Sequence, residues 1–177
     1  GQGGGASCEL DPPGETFSFT IRNVGQRHLR LAFGCGGTLP IVVEVGGASR
    51  GVSPGQADFC GLSCDEVYAG AKNSGCSDCG PGSGAVLAPG AERVIPWDRR
   101  VFTEHTAPAR CSGHTDGNEC ALGSLLSAEE ASRGTLTYCV NDPEFPEDSS
   151  GYCVGDEAQS ASFELDLAQA GVVIELE

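Results

Sequence analysis

Ten cysteines spread through 177 residues constrain this chain first, because each must be crosslinked, bound to metal or buried as a thiol. They are Cys8, Cys35, Cys60, Cys64, Cys76, Cys79, Cys111, Cys120, Cys139 and Cys153. Four form the cluster Cys60-x3-Cys64-x11-Cys76-x2-Cys79, with strand-patterned sequence on either side. Oxidised, this cluster staples a loop onto a β fold; reduced, its paired thiolates have the count and spacing of a tetrahedral zinc site. An even number dispersed over the whole chain is the pattern of proteins that fold under oxidising conditions, which makes oxidation of all ten the simpler account. Pairing by proximity gives Cys60–Cys79, Cys64–Cys76, Cys111–Cys120 and Cys139–Cys153, and leaves Cys8 for Cys35.

Length fits one domain over residues 8–177, behind a flexible leader, Gly1-Gln2-Gly3-Gly4-Gly5-Ala6-Ser7. Such a leader suits a chain tethered by a processed or lipid-anchored N-terminus. Apolar residues make up 39% of the chain, enough for a core, while 27 glycines and 10 prolines call for many turns. Twenty-five acidic against ten basic residues give a formal charge of −15, a field that repels phosphate backbones and argues against nucleic acid as a partner. No apolar run approaches the roughly 18 residues of a membrane span, so no transmembrane segment is expected.

Alternating apolar residues mark the strands. Phe17, Phe19 and Ile21 alternate with Ser18, Thr20 and Arg22, and after Asn23-Val24-Gly25 the pattern resumes with Leu29, Leu31 and Phe33, which predicts a hairpin. The β-branched run between Leu39 and Val45 is a third strand, followed by a turn-rich connection to Gln56. Residues 85–87 and 92–98 around Pro89-Gly90 predict a second hairpin, with Pro96 placing its latter strand at a sheet edge. Further strands are expected at 101–105, 135–140, 162–167 and 172–176, and 108–123 reads as a crosslinked loop. Two capping boxes, Ser63-Cys64-Asp65-Glu66 and Ser127-Ala128-Glu129-Glu130, predict short helices ending near Gly75 and Gly134. Eight or nine short strands with two short helices indicate an all-β, antiparallel sandwich with stapled loops.

The run G-E-T-F-S-F-T-I-R-N-V-G (Gly14 to Gly25) resembles the first strand of bacterial immunoglobulin-like domains, and L-A-P-G-A-E-R-V-I-P-W-D (Leu87 to Asp98) is similar to a hairpin found in many of them. Together with the C-x3-C and C-x2-C pairs, the chain resembles the disulfide-rich, secreted or lipoprotein-type domains of high-GC bacteria. The resemblance implies an immunoglobulin-like β-sandwich, secreted or on the outer cell surface of a bacterium, and carries over no catalytic residue. The Trp97-Asp98 ending is also similar to a class of intracellular bacterial proteinase inhibitors, which ten cysteines fit poorly.

Candidate chemistry is sparse. Glu144, Glu147, Asp148, Asp156 and Glu157 crowd around the loop closed by Cys139 and Cys153, an oxygen-rich candidate for calcium that lacks the EF-hand pattern. His28, His105 and His114 have no metal-binding spacing. Cys76-Ser77-Asp78-Cys79 is C-x-x-C without the βαβ context of a redox motif. Nucleophile-elbow, phosphate-loop and dinucleotide signatures are absent. The sequence therefore reads as a non-enzymatic extracytoplasmic structural, adhesion or assembly module, working through protein contacts that include self-association by strand exchange. The alternative is a metal-binding secreted protein, with calcium at 141–157 or zinc at 60–79.

Overall fold

The computed structural model describes residues 8–33, 38–56, 62–72, 84–113, 118–140 and 158–177; the leader, Cys35, Cys60, Cys76, Cys79, His114, Cys153 and the acidic stretch 141–157 lie outside the described residues. Among those described, the strands are β1 (Phe17–Asn23), β2 (Leu29–Ala32), β3 (Ile41–Val45), β4 (Ala48–Gly51), β5 (Gly84–Leu87), β6 (Glu92–Trp97), β7 (Arg100–Ala107), β8 (Asn118–Leu125), β9 (Ala131–Val140), β10 (Ala158–Glu164) and β11 (Gly171–Leu176). Two short helices, α1 (Cys64–Tyr68) and α2 (Ala109–Ser112), interrupt them.

The strands form two sheets. The smaller runs β11-β1-β6, with β1 parallel to β11 and antiparallel to β6. The larger is antiparallel and is built on β9, which carries β10 along one edge and both β2 and β3 along the other. β5 pairs β2. From β3 the sheet continues through β4 and β7 to β8. The sheets pack through one apolar core, in which Phe17, Phe19 and Ile21 meet Leu29, Leu31, Ile41, Val43, Leu136, Leu165, Leu167, Ile174 and Leu176. Trp97 stacks on Phe19 at 5.4 Å between ring centroids and meets Phe17 edge-on at 5.9 Å. Alternation thus identified the faces that carry the core, although Arg30, on the other face of β2, is buried as well, and Pro96 does lie in an edge strand, where its missing N–H costs no ladder bond.

Both expected hairpins are instead corners between the sheets. β1 belongs to the small sheet and β2 to the large one; β5 belongs to the large sheet and β6 to the small one. The two corners meet at Asn23, which continues the inward series of Phe17, Phe19 and Ile21 and is fully buried. Its Nδ2 donates to the carbonyls of Arg27 at 2.7 Å and Leu87 at 2.8 Å, while its Oδ1 accepts from Gly25 N at 3.0 Å. Its backbone N donates to Ala91 O at 3.0 Å, and its own carbonyl accepts from Gly90 N at 2.8 Å. The Asn-x-Gly and Pro-Gly signals are genuine turn signals, but with Asn23 satisfying the carbonyls of both turns the chain changes layers.

Other departures have local causes. The first capping box forms as read: Ser63 Oγ accepts from Glu66 N at 3.3 Å and the Glu66 carboxylate accepts from Ser63 N at 2.8 Å. The helix nevertheless stops at Tyr68, well before Gly75, because Gly70 turns left-handed at φ 99 and Ala71 N reaches back to Glu66 O. The second box, at Ser127, makes only a turn, and Gly134 is a strand residue rather than a helix cap. There the Glu130 carboxylate accepts from Ser127 N at 2.7 Å, a bond that, with the Ser127 side chain, holds the Glu130 carboxyl below its ordinary value. Strand pairing claims the following residues. Gly134 lies opposite Phe163 of β10, whose ring occupies the space a Cβ at Gly134 would need. Gly123 of β8 likewise lies opposite Phe102 of β7. An aromatic ring across a strand glycine supplies the packing that glycine cannot. The expected loops at 46–56 and 108–123 contain β4, and α2 with β8, respectively; the strand expected at 162–167 is β10, set earlier in the chain.

Replacing Asn23 by Ala leaves buried carbonyls without donors and is expected to lower stability by about 3 kcal/mol. Asn23→Asp, which faces those carbonyls with an acceptor at neutral pH, should be at least as damaging; shifts in urea midpoints measure both. Gly134→Val should displace Phe163 and cost about 2 kcal/mol, read in the same way.

Candidate functional site

Among the described residues, two concave regions and the sheet edges are places where this fold could act. The first concavity lies at the corner between β6 and β7, formed by Trp97, Asp98, Arg99 and Arg100. Trp97 Nε1 donates to Arg100 O at 2.7 Å, which folds the corner back on itself. Arg99 sits at φ 62, a left-handed conformation unusual for a side-chain-bearing residue. Its guanidinium holds it there by donating to the carbonyls of Leu167 at 2.9 Å and Gln169 at 3.3 Å. Arg100 donates through Nε to Asp98 at 2.7 Å and through its terminal nitrogen to Asp65 of α1 at 2.9 Å. Burial alone opposes the charge on Arg100, but the hydrogen bond and charge of Asp98, then those of Asp65, outweigh it and raise the guanidinium's pKa above its ordinary value.

A cavity of about 390 Å³ opens beside this corner, lined by Thr16, Ser53, Ser63, Trp97, Arg100 and Phe102 among others. It joins an aromatic wall to hydroxyls, and Arg100, the cation among its described lining residues, is already committed to two carboxylates. The arrangement ties α1 to the inter-sheet corner and leaves Arg100 no spare charge for an anionic ligand. The second concavity, about 590 Å³, is lined by Glu44, Ser132, Arg133, Glu164, Leu165 and Asp166. Arg133 lies opposite both Glu44 of β3 and Glu164 of β10, so this surface is an alternating charge row across three strands.

The structure redistributes the candidates read from the sequence. Cys64 is joined to Cys120 and Cys8 to Cys111, so the expected pairs Cys64–Cys76, Cys111–Cys120 and Cys8–Cys35 are corrected. Proximity in sequence does not set the pairing, because α1 packs against β8 and Cys120 lies in that strand, whose sequence shows no strand periodicity. The same bond takes Cys64 out of the proposed zinc set. Cys139 is disulfide-bonded as well. Cys60, Cys76, Cys79 and Cys153, with Glu144, Glu147, Asp148, Asp156 and Glu157, fall outside the described residues. His28 is exposed on the corner before β2, and His105 is half-buried opposite Cys120. Among the described residues no group of three or more His, Cys, Asp or Glu side chains is placed to hold a metal ion. No helix among them is long and apolar enough to cross a membrane.

The edges of the large sheet differ from one another. At β8, Ala121 N donates to Leu62 O at 2.9 Å and Leu125 N to the Asp11 carboxylate at 3.0 Å, so the edge is partly covered by its own chain. At the opposite edge, β10 pairs β9 in unbroken register from Ala158 to Glu164. Leu165 N donates to Ser132 O, which fixes the alternation: the N–H groups of Ser160 and Ser162 point away from β9 and meet no partner among the described residues. The sequence placed this strand several residues later and so concealed its small, uncharged stretch, Ala158-Gln159-Ser160-Ala161-Ser162. No family model, curated protein or solved structure matches the chain.

Coupling at the Arg100 corner is measurable. A double-mutant cycle on Asp65→Asn and Arg100→Met should return about 0.5 kcal/mol, diminished by added salt, because the Asp65 side chain is 43% exposed. The cycle on Asp98→Asn and Arg100→Met should return a larger and less salt-sensitive value.

Proposed function

We propose that this protein is a non-enzymatic, extracytoplasmic assembly module whose sheets form an immunoglobulin-like sandwich that accepts an added β-strand. The observation that carries the reading is the outward edge of β10, which pairs with no strand among the described residues. Soluble β proteins blunt such edges with lysine, proline, bulges or very short strands. β10 has none of these: it is seven residues long, keeps one register throughout, and carries its single charge at Glu164, its last residue. An extended segment laid against it would gain main-chain hydrogen bonds at Ser160 and Ser162, as in strand addition generally. The disulfides support an oxidising compartment, in keeping with secretion or display on a cell surface. The charge of −15 disfavours indiscriminate association, so contact is confined to surfaces where charge is absent.

Substituting Ser160 or Ser162 by Pro removes an outward N–H without touching the ladder to β9. Either substitution should abolish assembly in analytical ultracentrifugation with little change in urea midpoint; assembly unaffected by both would refute the reading. If the leader is the donor strand, removing residues 1–7 gives the same loss.

A further inference from the structure

The segment Cys8-Glu9-Leu10-Asp11-Pro12-Pro13 follows no sheet, yet it is pinned along its length. Cys8 is bonded to Cys111 of α2. Leu10 packs against a small second core made by Cys64, Val67, Ala107 and Cys120. The Asp11 carboxylate accepts from Leu125 N of β8 at 3.0 Å, and Gly14 N donates to Asp98 O at 2.9 Å where the segment joins the body. The segment is thus a strap across the outer edge of β8, and Pro12-Pro13 keeps its base extended.

The two disulfides in this region differ in access. Cys64 and Cys120 are 0% exposed, whereas Cys8 is exposed and Cys111 half-buried. A thiolate in solution therefore reaches the strap's bond and not the one beneath it, and access governs thiol–disulfide exchange. When the strap's bond opens, no covalent tie among the described residues is left between the strap and the arm, and Leu10 and the Asp11 carboxylate are non-covalent contacts that can release and re-form. Every contact the strap makes on its own chain is available to it, unchanged, on a second copy, which is the condition for exchange of an element between protomers.

We infer that Cys8–Cys111 is an exchangeable latch, and that the occupant of the β8 edge in an assembled state is the strap of a second copy, closed by a Cys8–Cys111 bond between chains. The chemistry balances with a small thiol as catalyst. Its thiolate attacks the Cys8 sulfur and breaks the Cys8–Cys111 bond, leaving a mixed disulfide at Cys8 and a thiolate at Cys111. The Cys111 thiolate of the second copy then attacks that mixed disulfide at the Cys8 sulfur, forms the interchain bond and expels the small thiolate. The number of disulfides is the same before and after, so no net oxidant or reductant is consumed. This inference goes beyond the outward β10 edge, because it uses the opposite side of the large sheet and a different segment.

The test mixes unlabelled and isotope-labelled full-length chains with a trace of reduced glutathione, followed by acid quenching, non-reducing digestion and mass spectrometry. Crosslinked Cys8–Cys111 peptides of mixed isotope are expected, with Cys64–Cys120 peptides remaining isotope-pure. Cys8–Cys111 peptides that stay pure would overturn the inference, and so would equal mixing at Cys64–Cys120, which is general scrambling. The same experiment on the Ser160→Pro chain separates the two proposals. Mixed peptides that persist there keep the latch whatever becomes of the β10 edge, while thiol-independent assembly without mixed peptides keeps the β10 edge and sinks the latch.

Discussion

The side chain of Asn23 is the interaction on which the rest of the fold depends. It stands at the inward position where β1 ends, a position that apolar residues occupy at Phe17, Phe19 and Ile21. A polar group there is tolerable only when fully satisfied, since a lost partner in the interior costs on the order of a kilocalorie per mole or more. Asn23 meets this demand with carbonyls from both corners, at Arg27 and Leu87, and with Gly25 N. The next residue, Val24, donates to Leu176 O at 2.8 Å, which anchors the last strand beside the first. One side-chain amide therefore fixes where the chain leaves the small sheet and where it returns.

This dependence explains which parts of the fold were legible in the sequence. Alternation along β1, β2, β3, β6 and β11 reveals which side chains are buried, because it reports the face of a strand. It does not report the partner, and a tight turn looks the same whether the next strand pairs alongside or crosses into the facing sheet. Asn23 and Pro89-Gly90 were recognisable as turn residues, but their joint role depends on residues 64 positions apart meeting, as Asn23 and Leu87 do. β8 and the first residues of β9 are hidden in the sequence for a different reason. Gly123 and Gly134 look like breakers until Phe102 and Phe163 are placed across from them, and cross-strand neighbours are invisible in a local reading. The candidate site was less legible still, since a free strand edge is a property of what fails to pair.

Charge and edge structure are related. Where the small sheet faces outward, Arg22 lies between Glu92 at 3.3 Å and Glu175 at 3.6 Å, an exposed row of modest energetic weight. Beside it the row Val94, Thr20 and Val173 carries no charge, and both valines are more than half exposed. In a chain so acidic, uncharged surface is where two molecules approach at least electrostatic cost. The small sheet guards its β6 edge with Pro96 and ends β11 against Glu175 and Glu177, whereas β10 has only its terminal Glu164.

The molecule is stabilised differently at its two ends. The main core joins both sheets through large aliphatic and aromatic side chains, and burial of that kind contributes roughly 25 cal/mol per Å² of apolar area. The arm formed by β7, β8 and α1 has a smaller centre, in which Val67, Ala107 and two cysteines are buried and Leu62, Tyr68 and Leu122 pack against them. The Cys64–Cys120 bond closes a separation of 56 residues, a restriction of the unfolded chain worth about 4 kcal/mol in the chain-entropy model. It adds to what the arm's apolar contacts supply. The buried crosslink holds α1 to β8 permanently, and the exposed crosslink at Cys8 is then free to serve a different purpose. An arm that keeps an inaccessible bond, together with the Asp65–Arg100 pair and the Ala121–Leu62 hydrogen bond, can surrender the accessible bond without coming apart, which is the property an exchangeable strap requires of the surface it leaves.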